Sequence, residues 1–189
     1  MKKPMQKINE LHPIPLSRLF DRWGVDVVGP LLITPKGNRY IIVAVEYLSK
    51  WQEAKAISEA NALSIANFLY QNIICQFECF THLHTDRGTE FVNEVVKKLT
   101  EKFRVKYHRS TSYRSQANGL VERFNKSLCD SLAKLVDESA EWDIFVEPAL
   151  WMHCTSINSS TQLSSSMIVY GIQPNFLQIS FSLKICGIA

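Results

Sequence analysis

Two short runs, "WGVDVVGP" (23–30) and "RYIIVAVEYL" (39–48), are almost wholly apolar and rich in β-branched residues. Runs of this length without alternation suit strands covered on both faces, which requires packed layers above and below the sheet. "TPKGN" between them offers a turn, with Gly37-Asn38 suited to positive φ. "WQEAKAI" (51–57) reads as a third, more exposed strand. From Ser58 to Cys75, Ala62, Ile65, Ala66, Leu69 and Ile73 recur at helical spacing, with Ser58 as N-cap. "FTHLHT" (80–85) reads as a strand and 90–102 as a helix presenting Phe91, Val95 and Leu99. "RVKYH" (104–108) reads as a short strand, followed by a polar loop (109–119). Val121, Phe124, Leu128, Leu132 and Leu135 form a helical stripe, and 142–158 reads as a last helix bent or started near Pro148. The order β-β-β-α-β-α-β-α-α predicts an α/β fold, with a mixed sheet of about five strands and helices on both faces.

One carboxylate contradicts this pattern. Asp26 sits among Val25, Val27 and Val28, where a lone buried charge is costly. It needs a partner, a proton or a metal, and an ion pair to a core Arg would be one solution. Asp86 ends the 80–85 strand, where it can serve as an Asx-type turn residue or as a functional carboxylate. Glu122 lies off the apolar stripe of its helix and is grouped by spacing with Asn125 and Lys126; pairing with Lys126 is its plain alternative. If neighbouring strands bring Asp26 and Asp86 together and a helix lays Glu122 across them, three like charges converge and divalent cations are needed to hold them ionised. Hard carboxylate oxygens suit Mg²⁺ or Mn²⁺, and two such ions serve phosphodiester displacement.

Charge distribution points the same way. The net charge is +3, but Lys97 to Lys126 holds nine Lys or Arg against Glu101 and Glu122, hence +7, leaving −4 for the rest. A local basic segment is what phosphate docking requires, although a solvated helix face gives the same count. No apolar run reaches the roughly 18 residues of a membrane span. The N-terminus, "MKKPMQKINELHPIP", lacks the apolar block of a secretory signal. Five cysteines at irregular positions read as free thiols. Cys75, Cys79, His82 and His84 do not follow a usual zinc-finger spacing, and packing roles are expected for them; His82 and His84 would share one strand face. Trp23, Trp51, Trp142 and Trp151 are expected in the core or an interface.

The stretches "LFDRWGVDVVGPL", "GNRYIIVAVEYLSKW", "HTDRGTEF" and "SYRSQANGLVERFNKSL" resemble, in that order, the catalytic core of retroviral and gypsy-type LTR-retrotransposon integrases. Thirty-five residues separate Asp86 from Glu122, a spacing typical of that family's second and third acids. The resemblance runs from about Leu19 to Gly171. It implies a ribonuclease-H-like core over 16–172, between a linker (1–15) and an irregular tail (173–189). It further implies that Asp26, Asp86 and Glu122 are the catalytic, metal-binding triad, using two Mg²⁺ with Mn²⁺ as substitute. Tyr113, Arg114, Gln116 and Asn118 then match the loop that meets the DNA end, and Asn125 and Lys126 match helix positions near the cleaved phosphate. The implied activity is DNA 3′-end processing and strand transfer into target DNA, in the nucleus, by a homo-oligomer without membrane association.

The chain departs from the family where Glu78 and Phe80 replace a usual Gly and Pro, where "YRSQ" replaces Tyr-His-Pro-Gln, and where Ser165, Ser166 and Met167 replace Thr-Pro-Phe. No His-His-Cys-Cys zinc pattern precedes the core, and "LQISFSLKICGIA" matches nothing in the family. These departures support a second reading, a decayed or co-opted module that binds nucleic acid without catalysis.

Overall fold

The computed structural model describes residues 18–86, 88, 91, 94–109, 119–136 and 141–173. Five strands form one sheet in the order β3-β2-β1-β4-β5. They are β1 (Arg22–Val28), β2 (Tyr40–Glu46), β3 (Gln52–Ile57), β4 (His82–Thr85) and β5 (Lys106–Arg109). The β1–β2 and β2–β3 pairs are antiparallel, whereas β1–β4 and β4–β5 are parallel. The sheet is thus mixed, as the hairpin-first order of elements predicts.

The helices are α1 (Ala62–Phe68), α2 (Cys75–Phe77), α3 (Glu94–Lys102), α4 (Gly119–Leu135), α5 (Val146–Thr155) and α6 (Ser165–Tyr170). Each sheet face buries one core. Trp23, Val25, Ile42, Ala44 and Leu83 pack against Ile65, Phe68, Leu69 and Ile73 of the first helical segment and Val96 of α3. Ile41, Val43, Val45 and Ala54 pack against Val121, Phe124, Leu128 and Leu132 of α4 and Val146 and Ala149 of α5. The alternation along β2 (Ile42 and Ala44 one way, Ile41, Val43 and Val45 the other) explains why its sequence is apolar throughout.

Several local expectations need correction. The first helix starts at Asn61, not Ser58, because the Asn61 side chain accepts from Ser64 N at 2.9 Å. It then widens into a π-helical stretch over Leu69–Ile74 before α2, which no periodicity announces. On α3 Val96 and Thr100 are buried and Val95 is exposed, while Phe91 and Leu99 pack into the first core as expected. The expected 142–158 helix is a 3-10 turn (Trp142–Phe145) followed by α5, which places Pro148 in the first turn of α5 where its missing N–H costs nothing. The polar serines at 164–166 begin α6, with Ser164 accepting from Met167 N. Trp23 and Trp142 are buried, but Trp151 is largely exposed. The expected linker (1–15) and nearly all of the tail (173–189) lie outside the described residues.

Candidate active site

Strand pairing decides which carboxylates meet. In the β1–β4 register Val25 lies opposite Thr85, so Asp26 and Asp86 each follow the last paired position. Val25 belongs to the core beneath α1 and α3. Alternation therefore turns Asp26 to the opposite face, the one covered by α4. Asp86 shares that face, because Leu83 points to the first core and side chains alternate from it. Glu122 lies in the first turn of α4, directly after Val121.

Gly24 sets how closely α4 approaches. A Cβ at this position would lie 2.5 Å from Val121 Cγ2 and 3.0 Å from Tyr47 Cε2. Only glycine lets the helix and the Tyr47 ring sit on β1 at this point, two residues before Asp26. The close approach holds Glu122 over the strand pair.

The electrostatics record the convergence. Burial, with the charges of Asp86 and Glu122 adding to it, pushes the Asp26 carboxyl up to about 6. Hydrogen bonds from Val27 N (2.8 Å, to Oδ1) and Asn125 Nδ2 (2.7 Å, to Oδ2) oppose that rise. Asp26 thus meets its burial not with a core Arg but with a backbone amide and an asparagine. Asn125 stands one helical turn after Glu122, and its own Oδ1 is buried without a hydrogen-bond partner. Asp86 Oδ1 accepts from Gly88 N at 2.8 Å, so the Asx-type turn is present as well. Glu122 and Lys126 are both exposed and form no ion pair with each other among the described residues.

Among the described residues, no three His, Cys, Asp or Glu side chains stand close enough together to hold a metal ion. The three acids share one neighbourhood without forming a closed cage. Their oxygens already have partners: Asn125 occupies one oxygen of Asp26 and Gly88 one oxygen of Asp86, while Glu122 is exposed. The donor chemistry nevertheless fits a hard divalent cation, since all three are carboxylates and their mutual charge is what a cation would relieve. The expected DNA-binding residues Tyr113, Arg114, Gln116 and Asn118 lie outside the described residues, as do Arg87, Thr89 and Glu90. Asn125 is found against Asp26, and Lys126 is exposed on α4.

A column of imidazoles, not foreseen as a group, borders the carboxylates. His82 and His84 share their strand face, as their spacing requires, and the β4–β5 register sets His84 opposite His108. The His108 ring stacks on both, at centroid distances of 5.3 Å to His82 and 4.8 Å to His84. Arg22 Nη1 lies 2.8 Å from His84 Nε2, so Nε2 accepts and the ring proton sits on Nδ1. Burial, then the neighbouring rings and Arg22, pushes the His84 imidazole down to about 4. Cys75 and Cys79 are exposed, and among the described residues no metal-holding cluster joins them to this column. The i, i+2 spacing of His82 and His84 was legible in the sequence, but the third ring depends on β5 pairing.

Comparison with known proteins agrees with the fold. The model of the integrase core domain matches residues 17–115. The Pol polyprotein of transposon 412 of Drosophila melanogaster is 27% identical over 142 residues, covering 75% of this chain and 11% of that protein. The Gag-Pol polyprotein of avian reticuloendotheliosis virus is 31% identical over 157 residues, covering 82% of this chain and 13% of that protein. The chain thus spans little more than a tenth of the length of these two relatives. The crystal structure of the catalytic core domain of BIV integrase superposes with a TM-score of 0.63 at 26% identity, covering 79% of this chain and 93% of that one.

Proposed function

This chain belongs to the integrase core domain family, and from that membership we propose that it is the catalytic core of a retroelement integrase. Its reaction would be polynucleotidyl transfer: trimming of element DNA 3′ ends, then joining of the new 3′-hydroxyl to target DNA in the nucleus. The observation that carries this reading is the placement of Asp26 and Asp86 at adjoining strand ends, on the sheet face covered by α4 with Glu122 in its first turn.

Asp26, Asp86 and Glu122 would hold Mg²⁺, with Mn²⁺ as substitute and two ions in the DNA-bound state. These ions would activate the attacking oxygen and stabilise the leaving one. The chain's own residues do the rest. Positive charge at the site would offset the neighbouring acids and keep Asp26 ionised, and Oδ2 would be free once the Asn125 amide turns away. The Asn125 amide, donating through Nδ2, and the exposed Lys126 would then meet the scissile phosphate. Tyr113, Arg114, Gln116 and Asn118 would orient the DNA end. Homo-oligomerisation would supply the pair of active sites that two DNA ends require.

A disintegration-type strand-transfer assay in Mn²⁺ tests the proposal. The unmodified chain should join strands, and Asp86→Asn should lose roughly two to three orders of magnitude, the effect of several kcal/mol at a metal-assisted transition state. Equal signal from both proteins would defeat the enzymatic reading. DNA binding with no joining by either would support the co-opted, non-catalytic module instead.

A further inference from the structure

The basic segment of the sequence is not spread evenly over the fold. Its central part forms β5, an edge strand of the sheet, and its end forms α4. Lys97 and Lys98 lie on α3, which packs against the sheet face away from the carboxylates. Lys106 and His108 lie on β5 and share the carboxylate face, because Tyr107 between them packs into the opposite core. Both are exposed.

Next to them lies the imidazole column. His108 stacks on His82 and on His84 with ring planes within 14° of parallel in each pair, and the Arg22 guanidinium is fixed against His84. Arg22 Nε and His82 Nδ1 are buried without a hydrogen-bond partner, although His82 Nδ1 stands 3.6 Å from Asp21 Oδ2. Asp21 is the acid at this end, and it also faces Arg18 at 3.6 Å. The described ion pairs give Lys106 no carboxylate partner. A row of N–H donors and two cations therefore runs from the sheet edge to β4, the strand that leads into Asp86.

We infer that Lys106, His108, His84 and Arg22 form a phosphodiester-binding track that carries a nucleic-acid strand between the carboxylate site and the β5 edge of the sheet. Lys106 and His108 contact the backbone directly. Arg22 and His84 lie behind them and act as positioning residues, Arg22 fixing the tautomer and the plane of the stack. The track reads charge and spacing, not base identity, since nothing in it presents a bidentate pattern to a base edge. This inference rests on the proposed reaction with DNA, whose strand must leave the carboxylates in some direction.

The test is fluorescence anisotropy with a labelled 30-base-pair duplex in EDTA, so that binding is read without catalysis. Lys106→Ala/His108→Ala is compared with Lys97→Ala/Lys98→Ala, which removes charge on the other side of the sheet. The track variant should bind about five- to tenfold more weakly at 50 mM salt, with a salt slope shallower by about 1. The α3 variant should change the slope little. Lys106→Gln/His108→Asn keeps the polarity of the edge and should show the same loss if the alanine pair unfolds. Equal slopes for the track and α3 variants would overturn the inference. So would a changed sedimentation coefficient of the track variant without DNA, which would make the edge a contact between copies of the chain. Because the binding assay needs no turnover, failure here leaves the Asp86→Asn result untouched, and the reverse also holds.

Discussion

Glu78 is the clearest stored strain in the fold, and its removal yields a quantitative forecast. The residue follows α2 with φ +130° and ψ 175°, a conformation essentially confined to glycine. Holding an L side chain there costs about 1–3 kcal/mol. The Glu78 carboxylate gives little back: Oε1 lies 3.8 Å from Arg18 Nη1, and both side chains are more than half exposed. Such a pair contributes about 0–1 kcal/mol. Glycine also adds freedom to the unfolded chain, a cost of roughly 0.5–1 kcal/mol. Glu78→Gly should therefore stabilise the domain by about 1 kcal/mol, or about 2–4 °C in Tm for a chain of this size. Glu78→Ala keeps the strained φ and loses the ion pair, so it should be neutral or slightly destabilising. Urea denaturation followed by tryptophan fluorescence measures both. A glycine variant no more stable than the alanine variant would refute the reasoning. Strand-transfer rates should not change, because Thr81 N and His82 N both donate to Asp21 O and re-anchor the chain before β4. The strain is absorbed upstream of Asp86.

Further outcomes follow from the site. Asp26 is raised from 3.8 to about 6, so the folded state binds its proton more tightly than the unfolded state, and stability is lost as pH rises through that window. Asp26→Asn should stabilise the chain above pH 6 and make no difference below pH 4 in chemical denaturation, with Asn125 turning its amide over to offer Oδ1. His84 is lowered from 6.5 to about 4, so the unfolded state takes up protons first and stability falls as pH drops from 6.5 towards 4. His84→Gln should make that acid-side decline shallower in the same titration. Gly24→Ala should cost about 1–3 kcal/mol and lower strand transfer, since its Cβ would lie 2.5 Å from Val121 Cγ2; Val121→Ala should restore part of both in a double-mutant cycle.

The sequence alone determined the layers. Apolar runs without alternation at 23–30 and 39–48 demanded a sheet covered on both faces, and Val121, Phe124, Leu128 and Leu132 named the helix stripe that covers one of them. It also singled out Asp26, because a charge inside such a run has no local explanation. The family likeness was legible in four ordered stretches and in the spacing of Asp86 and Glu122. The π-helical Leu69–Ile74 and the burial of Val96 in place of Val95 were not legible, because small changes of helical phase cost little energy and are settled by packing. Nor was the short α6 helix, whose serines read as loop.

Only the tertiary structure decided what the carboxylates meet. Alternation places Asp26 and Asp86 on one face only once β1 and β4 pair in parallel at the Val25–Thr85 register. That register is a long-range property with no local signal. The same holds for the Asn125 amide on Asp26, for the third histidine that closes the stack, and for the side of the sheet on which each lysine of the basic segment falls. Residue types set the chemistry available, and strand pairing chose which of it shares a face.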